Sequence, residues 1–417
     1  MKHLLLIVIL FLNINAVFSQ RYRTQVFDSE IKTLQVNVGN NNLQLPVVEL
    51  GGNESITISF DQLSHEAHYY SYRLIHCNAD WTASAISTNE FLRGFTNSDI
   101  RDFALSQTTT VIYTHYAFSL PNDEMQFTVS GNYAVIICED NKWDKPVAVV
   151  CFSVVEPKVL IEAKVRGNTD IELNRRLQQL DFDVLLRGFR INDINNDLKV
   201  VVRQNNRSDN EVTNLKPTFI ANDKLNYINN KNLIFEGGNE FHRFDISSVY
   251  RAAIGLDAIR FQQPNYHAFI IPNKINTSRV YVHDFDVNGK FIINCQEAIY
   301  DVNTEADYMY VHFILSKPEP FFDGKVFIGG EWNYNLLNDN ALMQYDLSGK
   351  YYFKTVLLKQ GGYNFQYLFL PKNSNKASLE PIEGSFWQTG NEYTIYVYYR
   401  PFGARFDRLI GFKINEF

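Results

Sequence analysis

Tyr351-Tyr352-Phe353-Lys354-Thr355-Val356-Leu357-Leu358 and, after Lys359-Gln360-Gly361-Gly362, Tyr363-Asn364-Phe365-Gln366-Tyr367-Leu368-Phe369 are the residues on which the fold turns. Both runs are aromatic, and Tyr363, Phe365, Tyr367 and Phe369 fall on every second position, the period of a half-buried strand. The same signature recurs outward over 55–60, 308–315, 325–328 and 393–399, between clusters of Gly, Asn, Asp and Pro. Amphipathic helical periodicity hardly occurs. Many short strands with regular turn signals make an all-β protein of tandem immunoglobulin-like β-sandwich domains. At roughly 150 residues per domain, 417 residues make three of them. The 32 Phe and 24 Tyr against four Trp fit pleated, half-buried surfaces. With 45% hydrophobic and 20% charged residues the chain is neither disordered nor collagenous.

The N-terminus begins Met1-Lys2-His3, continues with an apolar run over 4–12 and closes with Phe18-Ser19-Gln20. This reads as a cleaved secretory signal peptide, residues 1–19, because the apolar run is too short to span a bilayer. No Cys follows the run, so no N-terminal lipid anchor is expected. Thirty-nine basic residues against 46 acidic ones give a net charge of −7. Losing Lys2 leaves 38 against 46, or −8. That balance invites no nucleic acid.

Two breaks divide the mature chain. Val154-Val155-Glu156-Pro157 ends one strand at a residue that cannot donate to a ladder, and Gln262-Gln263-Pro264-Asn265 with Pro272-Asn273-Lys274 marks another. The expected domains are therefore 20–156, 157–275 and 276–417, with 280–301 belonging to either of the last two. Gly51-Gly52-Asn53-Glu54, its copy Gly237-Gly238-Asn239-Glu240, and Thr389-Gly390-Asn391-Glu392 each precede a strand-like run. They read as turns, since a phosphate loop would need a helix after it. Of four cysteines, Cys138 and Cys151 lie in a hairpin centred near Trp143, which puts Cys138 opposite Ala148 and Cys151 on the other face. Buried free thiols are expected rather than disulfides.

No residues point to catalysis, a cofactor or a metal. His65 and His68 flank Glu66 without further ligands and read as a solvated loop. His76 and His115, with Asp80 and Asp102, can be drawn as an acid/base set, but the imidazoles are expected to satisfy buried backbone and pin the loop over 83–107. Asp284, Asp286, Asn288 and Gly289 resemble the start of a calcium loop, yet Cys295 stands where Glu is needed, so Asn288-Gly289 reads as a hairpin turn. Asn53, Asn206 and Asn276 head sequons that chance explains in an Asn-rich chain.

Tyr72-Arg73-Leu74-Ile75-His76-Cys77-Asn78-Ala79-Asp80-Trp81, then Arg93-Gly94-Phe95, Tyr113-Thr114-His115-Tyr116, Leu120-Pro121-Asn122 and Ser130-Gly131-Asn132-Tyr133, resemble the N-terminal domain of the type IX secretion system plug family of the Bacteroidetes. The resemblance implies a non-enzymatic periplasmic protein, a monomer within a complex, that binds and occludes the inner mouth of the outer-membrane translocon β-barrel. His76, Asp80, Trp81, His115, Gly131, Asn132 and Tyr133 are then structural residues. The last domain, through Val326-Phe327-Ile328-Gly329-Gly330-Glu331-Trp332-Asn333 and Gly361-Gly362-Tyr363, is similar to immunoglobulin-like modules of the glycogen-binding type. That likeness implies an alternative, sugar binding through Trp332, Tyr334 and Trp387. The same three residues are candidate partner contacts, although tryptophans in a sandwich more often pack.

Overall fold

A computed structural model describes residues 21–39, 41–221, 223–278 and 280–417; the expected signal peptide, residues 1–19, lies outside them. The described residues form an all-β protein of packed sheets, and their α-helices are single turns of four residues.

The first sandwich follows the sequence closely. One sheet runs in the order Gln25–Val26, Pro146–Val155, Gly131–Glu139, Tyr70–Cys77 and Asn97–Asp99, with Val47–Glu49 parallel to Pro146–Val155. The other runs Ile31–Val38, Ile56–Gln62, Thr114–Leu120 and Asp102–Leu105. Alternate residues of each, among them Tyr72, Tyr133, Val135 and Phe152 against Ile58, Phe60 and Tyr116, meet in one core. Burying each large side chain contributes about 1.5–3 kcal/mol. The expected cysteine register is off by a bulge. Ile137, not Cys138, faces Ala148, and the shift between Ile137 and Cys138 puts Cys138 opposite Pro146. All four thiols are free; Cys77, Cys138 and Cys295 are buried and Cys151 half-buried.

Beyond residue 157 the strands do not follow chain order. Leu160–Arg166, Leu177–Leu185, Lys224–Tyr227 and Phe219–Ala221 form one sheet, with Ile234–Glu236 on Leu177–Leu185. The facing sheet pairs Leu198–Gln204 with Glu392–Tyr399, and that strand with Arg408–Glu416. The middle segment supplies only one strand to this second face, so the last two strands of the chain complete the sandwich. Tyr393, Ile395, Val397 and Ile410 pack among Leu180, Phe182, Val200 and Leu225 in its core.

The third sandwich is thereby inserted into the second, and it claims residues assigned from sequence to the middle domain. Leu256–Gln262 and Asn265–Ile270 join Tyr308–Ser316, Tyr351–Lys359 and Gln344–Asp346 in one sheet. His242–Asp245, Phe291–Ile293 and Gly324–Gly329 pair with Gly361–Pro371 in the opposite layer. The two runs 351–358 and 363–369 thus lie in different sheets, the chain crossing between them at Gln360. Asn288 and Gly289 adopt the positive φ angles of a tight turn, 53° and 87°. No strand precedes them, however, so the expected hairpin is not formed.

Candidate functional site

The recognisable string of the first domain lies along its seam with the second sandwich. His76 is 1% exposed. Its Nε2–H donates to the Ser130 carbonyl at 3.2 Å, which leaves Nδ1 to accept from Ser84 Oγ at 2.9 Å. Gly131 has φ 148°, and a Cβ there would lie 2.3 Å from His76 Nε2 and 3.1 Å from the Asp407 carbonyl, so only Gly lets the two sandwiches close. Asn132, fully buried, accepts from the Tyr398 hydroxyl at 2.9 Å and from Ser153 at 2.8 Å, and donates to the Asn78 carbonyl at 3.0 Å. Asp407, also fully buried, accepts from the Ala79 N–H and from Lys199, each at 2.9 Å. Tyr133 lies in the core, its hydroxyl donating to Val129 at 2.7 Å. Asp80 accepts from Thr82 across the turn, and Trp81 takes φ 65° there.

Burial pushes the His76 imidazole from 6.5 down to about 4, against the pull of its bond to Ser130. The unfolded chain protonates near pH 6.5 while the folded chain resists until about pH 4. Stability is therefore full above pH 6.5 and falls as pH drops through that window, by about 3 kcal/mol from this group. Urea unfolding of the wild type and His76→Gln at pH 7 and 4.5 should show a visibly flatter pH dependence in the variant. Identical slopes would show that His76 protonates freely in the fold.

His115 makes no pair with His76. It stands on the opposite sheet, 2.6 Å from Asp61, at the seam with the third sandwich. Asp61 also accepts from the Lys359 ammonium and the Tyr308 hydroxyl, each at 2.6 Å, and both charged side chains of the pair are 1% exposed. Burial alone would raise the Asp61 carboxyl, but Lys359 and His115 hold it below its ordinary value. Lys359 further donates to the Asn303 carbonyl at 2.6 Å and lies 4.1 Å from the Tyr113 ring centroid. Nearby, Asp307 accepts from the backbone N–H groups of Thr110 and Val111. Asp61 and Lys359 escape sequence reasoning because each is a lone charge in a strand; the one signal is a Lys closing the apolar run before Gly361.

The aromatic candidates take part in packing. Trp332 stacks on Phe313, centroids 6.1 Å apart and planes within 4°, and its Nε1–H donates to the Asn364 carbonyl at 3.1 Å. Tyr334 is in the left-handed region, φ 60°, and its hydroxyl reaches the Leu34 carbonyl of the first sandwich at 3.2 Å. Trp387 lies against Gly167, where a Cβ would meet its ring at 2.3 Å. All three are half-buried, and Tyr334 lines the cleft described below. Around Trp387 the two turn sequences meet: Gly390 N–H donates to Glu240, and Asn391 to the Gly237 carbonyl at 2.7 Å, where the chain leaves and re-enters the second sandwich. His65 lies 2.9 Å from Ser106 and His68 2.6 Å from Glu139. Among the described residues no His, Cys, Asp and Glu gather as a metal site.

Where the three sandwiches meet, a cleft of about 520 Å³ opens, lined from the first by Gln35 and Trp81, from the second by Arg203 and Tyr396, and from the third by Glu331 and Asn335. Arg203 donates to Glu211 at 2.7 Å, and behind the wall Lys290 donates to Glu392 at 2.6 Å. Burial pushes Glu331 up to about 7, Lys290 opposing and Glu392 reinforcing the shift. Elsewhere the third sandwich exposes Tyr250, Val280, Val282, Phe285, Ile299 and Tyr300, each at least 70% accessible. Among the described residues no helix is long and apolar enough to cross a membrane.

Comparison with known proteins agrees with this architecture. The crystal structure of a hypothetical protein from Parabacteroides merdae ATCC 43184 is 44% identical, covers 95% of this chain and 100% of its own, and superposes with a TM-score of 0.93. An alkylpurine DNA glycosylase from Pseudomonas fluorescens bound to abasic-site DNA (8% identity, 30% of each chain, TM-score 0.17) has no bearing on the fold. Neither has a marsupial T cell receptor (11% identity, 93% of this chain and 98% of its own, TM-score 0.16). No curated protein matches the chain. Residues 31–156, the first sandwich with its seam motif, match the model of the type 9 secretion system plug protein first domain. That match spans the seam motif, so over residues 31–156 the chain carries a first domain of the type 9 secretion system plug protein family.

Proposed function

We propose that this protein is a non-enzymatic stopper that binds the periplasmic mouth of the type IX outer-membrane barrel and occludes it. The match of residues 31–156 to the plug family carries the reading, since it implies a role in type IX secretion and a place in the cell envelope. The seams support it physically. A stopper must resist deformation, and buried charges and hydrogen bonds join the first sandwich to both others, so that the chain forms one body rather than beads on a string. The exposed apolar side chains of 280–300 offer contact area of the kind that interfaces bury.

Barrel reconstituted in liposomes, titrated with this protein from the periplasmic side, is the direct test. Conductance should fall to a low plateau at one protein per barrel. No association at about micromolar concentration, a modest affinity for a stable complex, would end the reading.

A further inference from the structure

One end strand of the first sandwich is bare. Asp102–Leu105 closes the sheet that runs from Ile31–Val38 through Thr114–Leu120, and it pairs on one side only. The Ser106 N–H donates to the Tyr113 carbonyl at 2.8 Å, and the backbone of an antiparallel pair turns alternately toward and away from its neighbour. Asp102, Ala104 and Ser106 therefore bond inward. The N–H and C=O groups of Phe103 and Leu105 point out of the sheet edge, where among the described residues no strand pairs with them.

Proteins ordinarily guard such edges with charges or bulges, because a bare edge is a template for another strand. Other end strands here are guarded. Ile31–Val38 is broken by a register shift between Lys32 and Gln35, and Leu256–Gln262 by one between Leu256 and Ala258, with Arg260 exposed beyond it. Asp102–Leu105 is regular and exposed throughout, with Phe103 59% and Leu105 47% accessible on the face they share with the core residue Tyr116. It is also held in place. Arg101 pairs with Glu124 at 2.9 Å before it, and the Gln107 N–H donates to the Thr304 carbonyl at 2.9 Å after it, so a docking strand has little left to order.

The order of side chains along this edge fits a second copy of itself. Two copies related by a two-fold axis normal to the sheet must set odd-numbered residues opposite odd and even opposite even, because opposed residues share a face. With the axis at Ala104, Phe103 of each copy lies opposite Leu105 of the other, apolar on apolar, and these are the residues whose backbone groups are free. Asp102 falls opposite Ser106 and Arg101 opposite Gln107, so no like charges are opposed. Moving the axis to Phe103 would set Arg101 against Leu105 instead.

We propose that the free protein forms a symmetric dimer in which the Asp102–Leu105 strands of two copies pair antiparallel about Ala104, joining their sheets into one. Such a dimer forms without the barrel, so it is tested on the isolated protein. A short edge makes a weak complex, and sedimentation equilibrium should give a dissociation constant of about 10–100 µM. Leu105→Lys places a charge opposite Phe103 of the second copy and should leave a monomer over the same range. Ala104→Cys reads the register and stands even if the first variant misfolds. On the axis, residue 104 faces itself at about 4.5 Å between Cα atoms, the spacing of a non-hydrogen-bonded pair and within reach of a disulfide. Mild oxidation should convert this variant to covalent dimer, while Ser348→Cys, exposed on a turn of the third sandwich, should stay monomeric; wild-type protein, whose thiols are buried or half-buried, sets the background. A monomer at about 0.5 mM, well above the expected constant, would overturn the proposal and leave the edge to a strand of another protein. A dimer that Leu105→Lys does not weaken, or in which Ala104→Cys cross-links no faster than Ser348→Cys, would put the contact on another surface and overturn it equally.

Discussion

Replacing Lys359 with alanine is expected to cost about 3–5 kcal/mol of stability, because it strands the Asp61 carboxylate at a seam where both partners are 1% exposed. The attraction of a buried pair roughly offsets the cost of dehydrating it, so the pair itself adds little, but half of it is harmful. Asp61 would keep its hydrogen bonds with the Tyr308 hydroxyl and His115, but not the lysine's charge. The double variant Asp61→Asn, Lys359→Met removes both charges and keeps an acceptor for Tyr308. It should recover more than half of the loss. Urea denaturation of the wild type, both single variants and the double variant gives the coupling energy. If Lys359→Ala costs less than about 1 kcal/mol, the range of an exposed pair, water reaches the seam and the pair does not hold it. The pH dependence has a definite sign. Because the folded carboxyl is held below the ordinary 3.8, its contribution is complete above that value and is lost as pH falls below it.

Ending the chain after Gly390 is expected to unfold the second sandwich while leaving the first largely protected. The truncation removes Glu392–Tyr399 and Arg408–Glu416, leaving Leu198–Gln204 as the sole strand of its layer and uncovering Leu180, Phe182 and Leu225. At about 1.5–3 kcal/mol for each of Tyr393, Ile395, Val397 and Ile410, the lost burial is comparable with the whole stability of a domain. A serial arrangement of domains makes the opposite forecast, damage to the last sandwich alone. The complementary variant excises 242–389 and joins Phe241 to Gly390 through a short glycine linker. The Gly390 N–H already donates to Glu240, so the ends to be joined are neighbours. That variant should keep two folded sandwiches, a result that hydrogen exchange over 160–236 would read directly. Rapid exchange there in the excised protein, or full protection in the truncated one, would contradict the nested topology.

How far the sequence could be read depends on how local each feature is. Tyr363, Phe365, Tyr367 and Phe369 declare a strand through their own spacing, and the observed strand covers them as Gly361–Pro371. The string around His76 and the pair Gly131-Asn132 carried the family likeness, although nothing in it said that Asn132 waits for Tyr398, 266 residues away. Trp332 and Trp387 drew attention as possible sugar platforms because composition reports a ring and not which of its faces is covered. Phe313 stacks on one face of Trp332, and Gly167 lies against Trp387. Asp61, Lys359, Asp407 and Glu331 passed unnoticed, since a single charge in a strand or turn looks like any solvated residue until another sandwich is laid upon it.

The all-β class, most strand positions and the family likeness were therefore determined by the sequence alone, because alternation with a period of two residues is a property of neighbours in the chain. Tertiary structure decided which sheet each strand joined, that 392–416 returns to complete the second sandwich, and that three seams enclose a charged cleft. The physical reason is that alternation states which face of a strand will be buried but not against what. That choice rests on long-range burial and on pairing buried charges, and both come into being only when distant segments meet.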